Sequence, residues 1–97
     1  MQYKEFMDLI ASSSPIFLSG IGGVSMRALA GLLIDMGAVV HGSDRDESKA
    51  ISELRKQGAI IQVPQNGQGI EGAALLIRTA AVHDDNPDII AARENNI

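Results

Sequence analysis

The sequence predicts an α/β fold with a doubly wound, Rossmann-like parallel sheet, formed as a single domain over residues 1–97. Short apolar segments alternate with segments of helical periodicity, in the order strand then helix repeated four times. This alternation favours parallel strands joined by crossover helices. A glycine turn, Gly20-Ile21-Gly22-Gly23, joins the first predicted strand to the helix that follows it. The length of 97 residues and the 45% hydrophobic content suit one globular domain with a modest core.

The first half of the chain predicts two helices and two strands. Apolar residues recur at helical spacing from Tyr3 to Ile10, and a serine-rich stretch ends this helix. The run Ile16–Leu18 is short and entirely apolar, as expected for a central strand that is covered on both faces. Helical spacing returns from Met26 to Met36, and Val39–Ser43 is typical of a second strand.

The second half continues the same alternation. A helix is predicted to end at Lys56, before the third strand, Ala59–Val63. Pro64–Gly72 is loop-like and has room for a short helical turn. The fourth strand is Ala74–Ile77, and the last helix starts at Asn86-Pro87, where an N-cap side chain precedes a proline. A fifth strand is expected next, so we expect this chain to be a piece of a longer protein.

The composition argues against several classes of site and partner. The absence of cysteine excludes disulfides and thiolate metal sites and favours a cytoplasmic location. The net charge of −4 argues against nucleic acid as a partner, and the apolar runs are too short for membrane insertion. His41 and His83 lack the spacing of a metal site, and there is neither a Gly-x-x-x-x-Gly-Lys-Ser/Thr loop for ATP nor a Ser-His-Asp arrangement. We therefore expect no catalytic residue, metal site or cofactor within this chain.

The glycine turn is the strongest candidate for a binding site. Gly20-x-Gly22-x-x-Ser25 nearly fits the dinucleotide-binding fingerprint, with serine in place of the third glycine. Backbone N–H groups in such a turn, together with the partly positive N-terminus of the next helix, favour a bound phosphate. The alternative is a tight turn between strand and helix with no ligand.

Two further loops follow predicted strands and are expected to meet the glycine turn. Asp44 follows the second strand and could accept hydrogen bonds from ribose hydroxyls or a base N–H, or could instead cap the next helix. Thr79–Val82, after the fourth strand, has small side chains that would let a ligand approach the backbone. Arg45 and Arg78 could screen a diphosphate. Because the carboxyl ends of parallel strands share one edge of the sheet, these loops predict one crevice.

These motifs together resemble the N-terminal domain of the Mur ligases, the enzymes of bacterial peptidoglycan synthesis. The resemblance covers Ile16–Ile97 and is carried by four segments in order: Gly20-Ile21-Gly22-Gly23-Val24-Ser25-Met26, Gly42-Ser43-Asp44, Thr79-Ala80-Ala81-Val82 and Asp85-Asn86-Pro87. Two positions depart from the family pattern. Ser25 stands where family members usually have glycine, and Val63-Pro64 stands where many have a Gly-His pair.

The resemblance implies a three-domain, ATP-dependent enzyme that forms an acyl phosphate on its substrate carboxylate. This chain would bind the UDP part of UDP-N-acetylmuramate, to which the most similar members add L-alanine. ATP and Mg²⁺ would bind a central domain, and a C-terminal domain would help bind the amino acid. The residues implied in UDP binding are Gly20, Ile21, Gly22, Gly23, Val24, Ser25, Met26, Asp44, Arg45, Thr79, Ala80, Ala81, Val82 and Asn86.

Three other functions remain open at this point. A related ligase that recycles murein tripeptides shares the domain type. The fingerprint and Asp44 also suit an NAD- or FAD-binding domain of an oxidoreductase. A module without any ligand is the third, with the highly apolar helix Met26–Met36 as a docking surface.

Overall fold

The four strands form one parallel sheet in the order β3-β2-β1-β4, in a computed structural model that describes residues 1–97. In chain order the elements are α1 (Tyr3–Ala11), β1 (Ile16–Ser19), α2 (Val24–Asp35), β2 (Val40–Ser43), α3 (Lys49–Lys56), β3 (Ile60–Gln62), β4 (Leu75–Ile77) and α4 (Pro87–Glu94). The predicted α/β fold with a parallel sheet is therefore confirmed. The strand order reverses at β1, because β2 and β3 lie on one side of it and β4 lies on the other.

The central strand β1 is buried along its whole length, as its apolar sequence predicts. Ile16 pairs with Val40 on one side and with Leu75 on the other. Side chains alternate across a strand, so Ile16 and Leu18 face one side of the sheet while Phe17 faces the other. The first side carries the larger core, which includes residues of α1, α2 and α3.

The connection between β3 and β4 contains no helix, unlike the other crossovers. Three of its residues, Gly67, Gly69 and Gly72, have positive φ angles of 80°, 84° and 83°. This backbone conformation is incompatible with a right-handed helix. The connection instead buries Ile70 and Ala73 against the face of the sheet that carries Phe17. The prediction of four strand-helix repeats is therefore wrong at the third repeat, where no helix follows β3.

Helix α2 has only two charged residues, Arg27 and Asp35, but is buried along one side only. Met26, Ala30 and Leu33 are buried in the core. Val24 and Leu32 are 75% and 57% exposed. None of the helices combines the length and the apolar character that a membrane crossing requires.

Candidate functional site

The glycine turn after β1 is fastened to the end of β2 by backbone hydrogen bonds. The N–H groups of Gly20 and Ile21 both donate to the carbonyl oxygen of Ser43, each at 2.9 Å. The N–H of Gly23 donates to the carbonyl oxygen of Gly20 at 3.1 Å. Gly20 has a φ of +80°, which glycine adopts without strain. The glycine that the turn geometry requires is therefore Gly20.

Gly22 is needed for a different reason, which is the close approach of Asp44. The Gly22 N–H donates to Asp44 Oδ2 at 2.8 Å, and a Cβ at Gly22 would lie 2.8 Å from the same oxygen. The second carboxylate oxygen of Asp44 accepts from the N–H of Arg45. Asp44 does not cap α3, because the N-cap of that helix is Ser48, whose hydroxyl accepts from Ile51 N–H. The alternative expectation of a helix cap at Asp44 is therefore wrong.

Helix α2 begins directly after the turn with no capping side chain. Its N-cap is Gly23, and the first three N–H groups of a helix have no acceptor within that helix. No other hydrogen bond of the structure uses the N–H groups of Val24, Ser25 and Met26. Gly23, Val24 and Ser25 are exposed. Three unpaired N–H groups at the partly positive end of a helix form a seat suited to an anion.

The departure at Ser25 fits this helix start without strain. Ser25 is the second residue of α2 and is exposed, so its side chain does not crowd the packing of the helix against β1. Its hydroxyl makes no hydrogen bond within the protein, which leaves it available next to the unpaired N–H groups.

A cleft of about 800 Å³ lies at the carboxyl ends of the strands. Twelve of the fourteen residues predicted from the sequence line it: Gly20, Gly22, Gly23, Val24, Ser25, Met26, Asp44, Arg45, Thr79, Ala81, Val82 and Asn86. The structure separates the other two from the cleft. Ile21 is fully buried and packs in the main core, and Ala80 lines a smaller pocket beside Arg78.

Arg78 holds the loop after β4 in place. Its guanidinium donates to the carbonyl oxygen of Val82 at 3.1 Å and pairs with Asp84 at 2.7 Å. Arg93 of α4 also pairs with Asp84, at 3.3 Å. The hydrogen bond from Arg78 and the positive charge of Arg93 lower the pKa of Asp84. Arg78 is therefore engaged by the loop, and Arg45 is the cleft's single arginine.

Six residues outside the set predicted to bind UDP also line the cleft: Asp46, Glu47, Ser48, Gln65, His83 and Asp85. With Asp44 they bring four carboxylates to a cleft that has one arginine. An anion bound there would depend on backbone N–H groups more than on cationic side chains. No group of three or more His, Asp or Glu residues is arranged to hold a metal ion. His41 lies outside the cleft, and partial burial lowers its pKa.

A buried polar cluster at the ends of β1 and β2 was also missed. Asp88 of α4 is fully buried, and its carboxylate accepts from the hydroxyls of Ser19 and Ser43. Gln65 donates to the same carboxylate at 3.3 Å. Gln65 lies in a glycine-rich connection, and a serine at the end of a strand is common. This cluster therefore could not be predicted from residue type or spacing.

Comparison with known proteins identifies close relatives. The family described as "Mur ligase family, catalytic domain" matches residues 16–97. UDP-N-acetylmuramate–L-alanine ligase of Clostridium novyi is 41% identical over 86 residues, covering 89% of this chain and 19% of that protein. The ligase of the same name from Bradyrhizobium diazoefficiens is 36% identical over 91 residues, covering 94% of this chain and 20% of that protein.

The fold is shared with a solved structure as well. UDP-N-acetylmuramate-alanine ligase MurC of Thermotoga maritima superposes with a TM-score of 0.81 at 38% sequence identity, covering 86% of this chain and 19% of that one. This chain thus spans about a fifth of the length of the relatives it matches. These relatives are ligases, and none supports the alternative of a dinucleotide-dependent oxidoreductase. The glycine turn, Asp44 and Asn86 line one cleft, and the family model matches residues 16–97. The chain therefore belongs to the Mur ligase family.

Proposed function

We propose that this chain binds the UDP moiety of UDP-N-acetylmuramate, as part of a ligase that joins L-alanine to that substrate. The observation that carries the proposal is the start of α2, where the N–H groups of Val24, Ser25 and Met26 have no partner and border the cleft. A diphosphate supplies oxygen acceptors and negative charge, and both are favourable at the N-terminus of a helix.

The other predicted residues are proposed to surround the nucleotide. Asp44 stands beside the turn and has lone pairs left to accept hydrogen bonds from the ligand. Thr79 and Ala81 give the opposite wall small side chains, and Asn86 lies at its edge. The glycine turn, with Ile21 packed in the core beneath it, keeps these groups at fixed positions.

The chemistry of the ligase is proposed to lie outside this chain. The residues here do not fit an ATP and Mg²⁺ site, since no phosphate-binding lysine loop is present and the carboxylates form no group suited to a metal. We propose that further domains of a longer protein bind ATP, Mg²⁺ and the amino acid, and that the whole enzyme works in the cytoplasm. The contribution of this chain is to bind and orient the substrate.

Titration of the chain with UDP-N-acetylmuramate, followed by backbone amide NMR, tests the proposal. The amide resonances of Val24, Ser25 and Met26 are expected to shift most, because their N–H groups gain acceptors. The amide of Ile10, in α1, serves as an internal control and is expected to stay in place, because no residue of α1 lines the cleft. If the α2 amide resonances do not shift with millimolar ligand, the proposal is refuted.

Two competing ligands separate the remaining alternatives. A UDP-linked murein tripeptide that binds more tightly than UDP-N-acetylmuramate would favour the recycling ligase. NAD that binds more tightly than any UDP compound would contradict a ligase function for this cleft. N-acetylmuramic acid without UDP is expected to produce no shift at α2, since it lacks the diphosphate.

A further inference from the structure

Asp88 is the fully buried acidic side chain of this protein, and no cation contacts it. It is the second residue of α4, and its carboxylate accepts from Ser19 at 2.8 Å, from Ser43 and from the N–H of Gly67 at 3.2 Å. Burial of an ionised group is costly unless hydrogen bonds satisfy it. Asp88 therefore ties together the ends of two strands, the β3–β4 connection and α4.

The same carboxylate controls two amide side chains that line the cleft. Gln65 Nε2 donates to the hydroxyls of Ser19 and Ser43 at 3.1 Å each and to Asp88 Oδ2 at 3.3 Å. Both hydroxyls donate to the same carboxylate, so they too can only accept from Gln65. Gln65 Oε1 accepts from Asn86 Nδ2 at 3.1 Å. Asn86 Oδ1 accepts from the backbone N–H of Asp88 at 2.9 Å. A carboxylate only accepts hydrogen bonds, so the nitrogen of Gln65 must face it and the oxygen must face Asn86. The orientation of each amide follows from its neighbour, starting at Asp88.

We propose that Asp88 is a positioning residue of the cleft: through Gln65 it sets which hydrogen-bonding groups the cleft wall offers to the sugar nucleotide. After the internal hydrogen bonds are counted, one N–H of Asn86, one lone pair of Asn86 Oδ1 and one lone pair of Gln65 Oε1 are left, and these are the groups offered. The identity of the ligand rests on the proposed function. The orientation of the two amides rests on the hydrogen bonds alone.

The variant Asp88→Asn tests the proposal with almost no change in volume. If the new amide nitrogen replaces Oδ2, it opposes the nitrogen of Gln65, and the pair must break or turn. An unmade hydrogen bond in a buried network is expected to weaken binding of UDP-N-acetylmuramate by about tenfold. The side-chain NH₂ resonances of Gln65 and Asn86 are expected to shift, which reports a change in the hydrogen bonds of both amides.

The double variant Asp88→Asn with Gln65→Glu provides a rescue at unchanged net charge. The new asparagine then donates to the new glutamate, whose second oxygen still accepts from Asn86. The hydroxyls of Ser19 and Ser43, each 3.1 Å from Gln65 Nε2, can turn to donate to the new glutamate and accept from the new asparagine. We expect the affinity to return to within about threefold of the original protein, because no polar group is left unpaired.

The control variant is Ile10→Ala, which removes a buried side chain of α1 from the core. No residue of α1 lines the cleft. This variant is expected to lower thermal stability while leaving the affinity and the two NH₂ resonances unchanged. A purely structural role for Asp88 predicts the opposite, namely that loss of affinity follows loss of stability in both variants and that the double variant gives no rescue.

The two proposals fail in different ways. If the original protein does not bind UDP-N-acetylmuramate, the proposed function fails, and the NH₂ resonances of Gln65 and Asn86 still decide the positioning role. If the original protein binds but Asp88→Asn binds equally well, or leaves those resonances unshifted, the positioning role of Asp88 is overturned and the proposed function stands.

Discussion

The N-termini of α2 and α4 both border the cleft, yet the first backbone N–H groups are unpaired at α2 and absent or paired at α4. At α4, Pro87 has no N–H, and Asn86 Oδ1 accepts from Asp88 N–H. The carbonyl oxygen of Asn86 accepts from Ile89 N–H at 3.0 Å. Each donor of the first turn of α4 is therefore absent or paired. At α2 the cap is Gly23, which has no side chain to offer, and the corresponding donors are unpaired.

This difference separates a structural helix end from one suited to binding. A glycine N-cap costs a helix only a few tenths of a kcal/mol relative to a capping side chain, so α2 leaves its exposed N–H groups unpaired at little cost. An anionic ligand would provide the missing acceptors. The first N–H groups are thus capped where Asn-Pro precedes the helix and unpaired where glycine precedes it, and we propose that the diphosphate pairs with the unpaired ones.

The substitution Gly22→Val is expected to have the largest effect, because it disturbs the turn that positions the open end of α2. The new Cβ would lie 2.8 Å from Asp44 Oδ2 and 3.1 Å from Ile51 Cδ1. Asp44 must then leave the Gly22 N–H, and the turn must shift. We expect stability to fall by about 1–3 kcal/mol. Affinity for UDP-N-acetylmuramate, measured by calorimetry, is expected to fall at least about 30-fold, the equivalent of about 2 kcal/mol.

Gly31→Ala is the matched control for this prediction. Gly31 lies within α2, and a Cβ there meets nothing within 4 Å. Alanine is expected to stabilise the helix by about 0.5–1 kcal/mol and to leave the affinity unchanged. If Gly22→Val remained folded with its original affinity, the turn would not position the anion seat.

Gly23→Asp converts the open end of α2 into a capped end like that of α4. The backbone at Gly23 has φ −64° and ψ 156°, which any residue adopts, and a Cβ would lie 3.4 Å from the nearest atom. The new carboxylate can accept from the N–H of Ser25 or Met26 and is favourable at the helix N-terminus. We expect stability to rise by about 0.3–1 kcal/mol. Affinity for the UDP ligand is expected to fall about tenfold, because the carboxylate competes with the diphosphate for the same donors.

Two further substitutions at the same position separate the effect of capping from the effects of charge and of side-chain size. Gly23→Asn adds a neutral cap and should also weaken binding. Gly23→Ala adds no acceptor and should bind nearly as well as the original protein. Thermal unfolding and calorimetry on the three variants give both quantities. A rise in stability with no loss of affinity would show that the ligand does not use these N–H groups.

The open end of α2 could be located from the sequence because its signal is local. The glycine turn follows an apolar strand and precedes a helical pattern, and Asn86-Pro87 marks a helix start by residue type alone. The meeting of three loops in one cleft followed from the parallel sheet, since carboxyl ends of parallel strands share one edge. Each of these inferences needs only short-range pattern and topology.

The long-range polar contacts could not be predicted in the same way. Asp88 and Ser19 are 69 residues apart, and neither residue type indicates a buried partner. The role of Gly22 was also hidden, because the sequence cannot distinguish a glycine that needs positive φ from one that makes room for Asp44. Packing geometry decides both, and it appears only when the strands are placed side by side.

Asn86→Ala tests the comparison between the two helix ends by removing the N-cap side chain of α4. Loss of the acceptor for Asp88 N–H is expected to lower stability by about 1 kcal/mol. It should not create a second anion seat, because Pro87 has no N–H and Ile89 N–H keeps its carbonyl partner. Pyrophosphate is therefore expected to raise the melting temperature of this variant by the same increment as that of the original protein. A larger increment would mean that an uncapped helix end alone makes a site.

The smallest expected effect is a pH dependence on the α4 side of the cleft. The α2 seat consists of backbone N–H groups that do not titrate, whereas Asp84 pairs with Arg78 and with Arg93 of α4. These arginines hold the pKa of Asp84 below its ordinary value of 3.8, so the unfolded chain binds a proton first as the pH falls. The contribution of Asp84 to stability is present above that value and is lost as the pH falls through the folded pKa.

Stability curves measured from pH 6 down to pH 3 should therefore fall less steeply for Asp84→Asn than for the original protein. Because Asp84 is exposed, the difference should be small and should shrink in high salt. Parallel curves would mean that the arginines contribute nothing to the stability of this wall.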